Sequence, residues 1–435
     1  MSGEGLKSRF AAFKLLSAVL DKRLMLDQTI DQEESFAHLA KQDKAFAHML
    51  VATTLRRLGQ CDALILRAMT HKKLPDPVRL LHVIRLGLVQ ILFMDVPDHA
   101  AVDTSVALAE KLGLNRQKGL VNAVLRTLGA NARTWLDERN DPLVNIPHWL
   151  QKAWIRDYGA DEAKHIAQAS LQEASTDITP KDESMTQHWV HSLEGHHLPT
   201  GSIRLTKDSK SIPLLPGFGD GMWWVQDAAA ALPAKLLNDL RYKNVLDMCA
   251  APGGKTLQLV SYGVNVTALD RSQNRLKILK ENLKRMRLDA QVQVECGDGA
   301  LWTSSQKFDA VLLDAPCSAT GTLRRHPDVM HIKSESDVAR LCDTQSRLLN
   351  HAANLVKEGG TLIYCTCSLQ KDEGEYQIDA FLNAHKDFKR DPILPNTLEG
   401  IEGFITLEGD LRILPHYLSA HGGIDGFYVA RLVKS

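Results

Sequence analysis

Two patterns of apolar and polar positions divide the chain into an N-terminal and a C-terminal part. From about residue 6 to 130, apolar residues recur three and four positions apart, which is the period of amphipathic helices. The clearest run is Leu80, Val83, Ile84 and Leu88. Asp43 is a suitable N-cap for a helix over 44–58, and Gly59 is a suitable stop. This part therefore predicts one all-α bundle of about five to seven short helices.

From about residue 216 the pattern changes to short apolar runs that alternate with amphipathic stretches. The apolar runs, each predicted as a strand, are Val245–Met248, Val264–Leu269, Val292–Val294, Ala310–Leu313 and Leu362–Tyr364. Alternating strands and helices are typical of a parallel, doubly wound α/β sheet of the Rossmann type. Such a sheet binds its ligands at the carboxyl ends of its strands.

The region between these two parts is less regular. A turn-rich linker, NDPLVNIP, lies at 140–147, and helices are predicted near 148–158 and 161–170. Polar stretches that favour short strands follow them. We therefore expect three domains, which are an all-α domain at 1–138, a linker with a small α+β connector at 139–215, and an α/β domain at 216–435.

Composition and charge narrow the class of protein. The chain has 435 residues, contains no run of about 18 apolar residues, and so predicts no membrane span. Seven cysteines and an N-terminus without an export signal favour a reducing cytoplasm over a disulfide framework. Residues 1–135 carry 19 Lys+Arg against 13 Asp+Glu, a net charge of +6. That excess is compatible with a nucleic-acid partner and equally with a well-solvated helical domain.

The segment 247–256, DMCAAPGGKT, follows the first predicted strand of the α/β domain. Gly253 and Gly254 let a ligand approach the backbone at the start of a helix. A P-loop would need a glycine where Cys249 stands, and the dinucleotide pattern G-x-G-x-x-G is absent. Asp270 and Asp298 end the next two strands, where carboxylates can bind ribose hydroxyls and an adenine amino group. Although either acid could be an ordinary helix cap, the combination predicts S-adenosylmethionine as cofactor.

The last two predicted strands each lead into a loop with a cysteine, Cys317 and Cys367. Zinc is disfavoured because no second cysteine pair lies at ligand spacing, and Cys365 fits the strand as a buried apolar residue. A methyltransferase needs a thiol when its target is carbon 5 of a pyrimidine, because thiolate addition to carbon 6 makes carbon 5 nucleophilic. Asp314 lies where it could hydrogen-bond or protonate cytosine N3.

These motifs closely resemble the RNA cytosine-C5 methyltransferases of the Nol1/Nop2/Sun class. The matching segments are VQDAAA (225–230), DMCAAPGGKT (247–256), LDAPCSATG (313–321), YCTCS (364–368) and DGFYVARL (425–432). The resemblance implies that Cys367 is the nucleophile and that Cys317 assists release. It also implies cofactor contacts from Cys249, Ala250, Ala251, Pro252, Gly253, Gly254, Lys255, Asp270, Asp298 and Asp314.

The N-terminal third resembles the helical fold of the antitermination factor NusB, through residues 43–62 and 115–128. This domain order is similar to that of the bacterial RsmB (Fmu/Sun) family, which implies a 16S rRNA cytosine as the target, position 967 in the usual numbering. The expected partner is 16S rRNA, naked or in an early small-subunit particle, and the expected state is a monomer without metal. Arg324, Arg325 and His326 are predicted RNA contacts. Residues 176–180 depart from the family pattern, so RNA contacts there are not carried over.

Two alternatives stay open at this point. The same chemistry could act on a tRNA or on another rRNA cytosine. The chain could also be a NusB-like RNA-binding assembly factor without catalysis, although the two strand-end thiols disfavour a scaffold. The missing glycine pattern disfavours an NAD-dependent dehydrogenase.

Overall fold

The computed structural model describes residues 3–138, 141–206, 211–237, 243–395 and 400–435. The chain forms two compact units. The first contains the residues up to Gln172 together with Leu323–Ser334, and the second contains Glu173–Thr322 and Glu335–Ser435. The predicted boundaries at 138 and 215 are therefore not the unit boundaries. Local pattern places a boundary where the periodicity changes, whereas packing decides which segments form one unit.

The first unit is the predicted all-α bundle. Its helices are Gly3–Lys22, Leu26–Gln32, Glu34–Ala37, Lys41–Arg56, Leu58–Ala68, Val78–Phe93, Asp98–Lys111, Lys118–Glu138, His148–Tyr158, Ala160–Ser170 and Val329–Ile332. The apolar positions at helical spacing meet in one buried core that includes Leu16, Leu50, Ile84 and Leu125. Eight of these helices lie before residue 139, which is more than the five to seven predicted. The excess arises because the stretch between Leu26 and Ala37 forms two separate short helices.

The predicted cap and stop of the helix over 44–58 are both wrong. The helix begins at Lys41, so Asp43 lies in its first turn, where its charge favours the helix dipole. Gly59 lies inside the next helix, Leu58–Ala68. A Cβ atom at Gly59 would lie 1.8 Å from the carbonyl oxygen of Val144. This glycine therefore allows a close backbone approach and does not end a helix.

The segment Leu323–Ser334 of the C-terminal half packs into the first unit. Asp328 Oδ2 accepts a hydrogen bond from the Leu26 amide at 3.0 Å, and His331 Nε2 lies 2.8 Å from the Leu55 carbonyl oxygen. Ile332 joins the bundle core. Two hydrogen bonds and one apolar contact thus hold Leu323–Ser334 in the helical unit. Local sequence pattern did not predict that this segment belongs to that unit.

The second unit contains a small antiparallel sheet and a large mixed sheet. The small sheet has the order His196–His197, Ile203–Arg204, Asp177–Pro180 and Trp223–Val225, and the helix Thr186–Ser192 contacts two of these strands. Its last strand lies beyond the predicted connector boundary at 215. Arg204 forms a buried ion pair with Asp177 at 2.7 Å, and its Nη1 donates to the His421 carbonyl at 2.6 Å. These bonds fix the connector to the C-terminal segment within one unit.

The large sheet confirms the Rossmann-like prediction and corrects its description as wholly parallel. Its order is Phe388–Arg390, Phe427–Lys434, Val356–Thr366, Phe308–Asp314, Asn244–Met248, Asn265–Asp270 and Val292–Cys296, with Leu411–Ile413 paired to Phe427–Lys434. The five predicted strands are all present and mutually parallel. Phe427–Lys434 runs antiparallel to Val356–Thr366, and Phe388–Arg390 and Leu411–Ile413 each pair antiparallel with Phe427–Lys434.

Helices connect the parallel strands and cover the sheet. The connecting helices are Gly254–Ser261, Gln273–Met286 and Glu335–Leu355, while Leu232–Lys235 precedes the first parallel strand and Glu375–Ala384 follows the last. These crossovers bring the carboxyl ends of the parallel strands to one edge, where the motif loops lie. Among the residues that the structure describes, no helix is both long and apolar enough to cross a membrane.

Candidate active site

The loop that follows Asn244–Met248 has the shape of a ligand-binding turn. Cys249 and Gly253 adopt positive φ angles of 61° and 110°, and the helix Gly254–Ser261 begins directly afterwards. The Ala251 amide donates to Asp270 Oδ2 at 3.2 Å. The end of the second parallel strand therefore holds the loop in place, which explains why the two motifs occur together.

Asp270 and Asp298 border one cavity of about 140 Å³, together with Cys249, Arg275, Gly297 and Pro316. Asp270 is 3 % exposed and accepts from the Ser272 amide at 2.9 Å, with Arg275 Nη1 at 3.4 Å. Asp298 is exposed and accepts from the Ala300 amide at 2.9 Å. The two acids and Cys249, predicted as cofactor contacts, thus surround one space.

A second and larger cavity of about 380 Å³ lies beside the same loop. Lys255 and Asp314 line it and form an ion pair, with Lys255 Nζ 2.7 Å from Asp314 Oδ2. Burial opposes the charge of Lys255, but Asp314 outweighs it, so the pKa of Lys255 is raised. Ala250, Ala251, Pro252 and Gly254 also line this cavity. The residues predicted to contact the cofactor are therefore divided between two neighbouring cavities.

Asp247 is a polar residue of the larger cavity that sequence analysis did not single out. Its side chain is fully buried, and Thr256 Oγ1 donates to its Oδ2 at 2.6 Å. Burial raises the pKa of Asp247 to about 7, against the opposing hydrogen bond from Thr256. Its position at the end of a strand, before a glycine turn, is the signal that could have identified it.

The two predicted catalytic thiols meet in the structure. Cys317 Sγ lies 3.5 Å from Cys367 Sγ, although the residues are 50 positions apart. Their loops are joined by a hydrogen bond from the Gly321 amide to the Cys367 carbonyl at 2.9 Å. The hydrogen bond to Cys367, followed by burial, raises the pKa of Cys317 well above its usual value. Cys317 therefore retains its proton.

Cys365 is fully buried in the strand Val356–Thr366, as its place in the strand predicted. Its Sγ lies 3.6 Å from Asp314 Oδ1, and burial raises its pKa well above the usual value. All seven cysteines are free thiols.

The three predicted RNA contacts lie in the segment that packs into the first unit. Arg324 is only 1 % exposed, and its carbonyl accepts from Arg56 Nη2 at 2.9 Å. An RNA phosphate cannot reach a guanidinium buried in this way, so the predicted RNA contact by Arg324 is wrong. His326 is 44 % exposed and lies 3.5 Å from Asp27, and Arg325 is half-buried. RNA contact by these two residues stays a prediction.

Two family models match the chain. Residues 234–433 match the family described as 16S rRNA methyltransferase RsmB/F, and residues 6–129 match the NusB family. Ribosomal RNA small subunit methyltransferase B of Proteus mirabilis is 34% identical over 415 residues, which cover 91% of this chain and 96% of the relative. The protein of the same name from Yersinia enterocolitica is also 34% identical, over 98% of both chains.

Solved structures show the same architecture. The crystal structure of PH0851 covers 99% of both chains with a TM-score of 0.74 at 24% identity, which demonstrates a shared fold. A methyltransferase homologue from Pyrococcus horikoshii has a TM-score of 0.55 at 26% identity, over 65% of this chain and 94% of its own.

Proposed function

We propose, from the premise that this chain belongs to the family of ribosomal RNA small subunit methyltransferase B, that it methylates carbon 5 of a cytosine in 16S rRNA. Members of this family are S-adenosylmethionine-dependent rRNA methyltransferases. The observation that supports carbon 5 is the 3.5 Å separation of the Cys317 and Cys367 sulfurs. Methylation at an exocyclic nitrogen or a ribose oxygen has no need of two thiols, because those atoms carry a lone pair that can take the methyl group without thiol addition to the ring.

The residues around the smaller cavity fit S-adenosylmethionine. Asp270 keeps acceptor capacity beyond its bonds to backbone amides, because an ionised carboxylate has about four lone-pair sites. It can therefore accept from ribose hydroxyls, while exposed Asp298 can accept from the adenine amino group. The turn at Cys249–Gly253 exposes backbone to the ligand. When bound, the cofactor supplies an electrophilic methyl group on a sulfonium.

The larger cavity is the proposed site of the cytosine. Asp314 forms an ion pair with Lys255, and a carboxylate in such a pair accepts hydrogen bonds. Asp314 can thus accept from the cytosine amino group, and from N3 once that nitrogen carries a proton. Lys255 can donate to the carbonyl oxygen of the base. The base must leave its stack to enter, which costs a few kcal/mol and least in an unpaired loop.

The thiolate of Cys367 is the proposed nucleophile. It forms a bond to carbon 6, and the electron pair of the carbon 5–carbon 6 double bond moves towards carbon 5 and N3. After methylation, a base removes the proton from carbon 5. The electron pair of the broken carbon 5–hydrogen bond re-forms the carbon 5–carbon 6 double bond, while the sulfur–carbon 6 bond breaks. Cys317, which retains its proton, hydrogen-bonds to the departing sulfur and stabilises it.

Single cysteine variants test this assignment. Cys367→Ala should lose methyl transfer by roughly 10³-fold or more, because removal of a covalent nucleophile leaves only positioning effects. Cys317→Ala should instead accumulate a protein–RNA adduct, seen as a slow band on a denaturing gel. Cys296→Ala, which changes an exposed thiol, is the control and should resemble the unaltered protein. Near-normal activity of Cys367→Ala, or no adduct from Cys317→Ala, would contradict the assigned roles.

The substrate form and the RNA surface are parts of the same proposal. We propose that the protein acts as a monomer on 16S rRNA, either naked or in an early small-subunit particle. The helical unit, with the net charge of +6 over residues 1–135, contacts the phosphate backbone. Arg325 and His326 add contacts from the segment that packs into this unit.

A further inference from the structure

Glu373 is a fully buried acid in the loop that follows Cys367. Its Oε1 accepts from the Ser318 amide at 2.8 Å and from Gln345 Nε2 at 3.0 Å. Its Oε2 accepts from the Ser318 hydroxyl and, at 2.5 Å, from the Ser368 hydroxyl. One carboxylate thus accepts four hydrogen bonds, which fills the acceptor sites of an ionised carboxylate.

The partners of Glu373 are the immediate neighbours of the two thiols. Ser318 follows Cys317, and Ser368 follows Cys367. The backbone of Glu373 is itself anchored, because its carbonyl accepts from the Tyr364 hydroxyl at 2.9 Å. The carboxylate therefore holds two loops, which enter from different strands, at one fixed distance from each other.

A buried charge is costly unless ion pairs or hydrogen bonds replace its lost hydration. All four donors to Glu373 are neutral groups, so no ion pair among these four contacts offsets the loss of hydration. Hydrogen bonds to an ionised acceptor are shorter and about twice as strong as neutral ones. Such bonds hold positions tightly, and a misplacement of about 1 Å at reacting groups can cost roughly 10²-fold in rate.

We propose that Glu373 is a positioning residue, which sets the distance between the Cys317 and Cys367 thiols. This inference rests on the proposed function for its catalytic meaning, but the separation of the sulfurs can be measured without it. The charge of Glu373 has a second effect, because it also contributes to the raised pKa of Cys317. Glu373 thereby helps to keep the proton on Cys317.

Two variants separate positioning from charge. Glu373→Ala removes all four hydrogen bonds. Glu373→Gln keeps the shape, since Ser318 and Ser368 can reverse their hydroxyls and accept from the amide, but it removes the charge. Glu358→Ala is the matched control, because Glu358 is exposed and lies near the start of the strand Val356–Thr366, whose other end leads to Cys367.

The first readout is cross-linking by dibromobimane, in which each thiol gives up its proton and displaces one bromide, so that the two sulfurs become bridged. Peptide mapping then gives the rate of the Cys317–Cys367 bridge in the full-length protein. We expect Glu373→Ala to slow this reaction and to lower kcat by about 10²-fold, with KM for S-adenosylmethionine unchanged. Glu373→Gln should recover part of the cross-linking rate and part of kcat. The part of its pH–rate profile that reports Cys317 should shift to lower pH, because the charge that helps to raise the pKa of Cys317 is gone.

A folded Glu373→Ala protein that cross-links as fast as the unaltered protein would overturn the positioning role. If that variant does not fold, the Ser318→Ala/Ser368→Ala double variant removes two of the four bonds, and normal cross-linking there would overturn the proposal equally. Because cross-linking needs neither RNA nor cofactor, it judges Glu373 even if the unaltered protein methylates no rRNA. That second failure would count against the proposed function alone.

Discussion

Cys317 and Cys367 come from different strand ends, and their sulfurs lie 3.5 Å apart. Cys317 retains its proton because it bonds to Cys367, is buried and lies near Glu373. The sequence predicted both thiols from their place at strand ends. It did not predict Glu373, because a single acid in a polar loop has no distinguishing pattern until the fold brings Ser318 and Ser368 to it.

Asp247 is the acid whose protonation we expect to make stability depend on pH. Its folded-state pKa is raised to about 7 by burial, whereas an unfolded Asp has a pKa of about 3.9. Between these values the folded state binds a proton that the unfolded state releases. The contribution of Asp247 to the free energy of unfolding therefore falls as pH rises, by at most about 1.4 kcal/mol per pH unit.

The Asp247→Asn variant should remove this slope. Urea unfolding between pH 5 and pH 7.5 should show a smaller loss of stability for Asp247→Asn than for the unaltered protein. Asp220→Asn, at an exposed position, is the control and should retain the full slope. Parallel pH dependence in all three proteins would contradict the raised pKa.

At the scale of elements, the strands were predicted better than the helix ends. Four of the five predicted runs lie wholly within their parallel strands, and the fifth, Val264–Leu269, begins one residue before its strand Asn265–Asp270. The central strands are easiest to predict, because burial on both faces demands continuous apolar residues. Helix ends depend on contacts that lie far away in sequence, as Gly59 and Val144 show. The antiparallel closing strand Phe427–Lys434 was missed as an element of the sheet, because its motif was interpreted only as a family signature.

The close contact between the Cys317 loop and Gly426, the residue before the closing strand, predicts a strong effect of substitution at Gly321. A Cβ atom there would lie 2.0 Å from the Gly426 carbonyl oxygen, and the Gly321 amide bonds to the Cys367 carbonyl. We expect Gly321→Ala to destabilise the protein by at least about 2 kcal/mol and to lower kcat, because the backbone must move.

Gly119→Ala is the matched control for that substitution. Gly119 lies in the helix Lys118–Glu138, and a Cβ atom there would contact nothing within 4 Å. The change should be neutral or stabilise by up to about 1 kcal/mol, through the lower entropy of the unfolded chain. Equal denaturation midpoints for the two variants would contradict the steric argument at Gly321.

At the scale of the whole molecule, the chain leaves the second unit after Thr322, contributes Leu323–Ser334 to the helical unit and returns at Glu335. This excursion begins directly after the Cys317 loop. Arg324 was predicted to contact RNA because basic residues beside an active-site loop favour phosphate binding. Its burial shows the limit of that argument, because sequence gives the charge of a segment but not the surface against which it packs.

The measurement that tests the central claim most directly uses methyl-labelled S-adenosylmethionine and unmethylated 16S rRNA. The intact protein is compared with Cys367→Ala, and the labelled nucleotide is located by mass mapping. The account predicts label on carbon 5 of a single cytosine and its loss in the variant. Label on an exocyclic nitrogen, on a ribose or on another base, or undiminished labelling by Cys367→Ala, would contradict it.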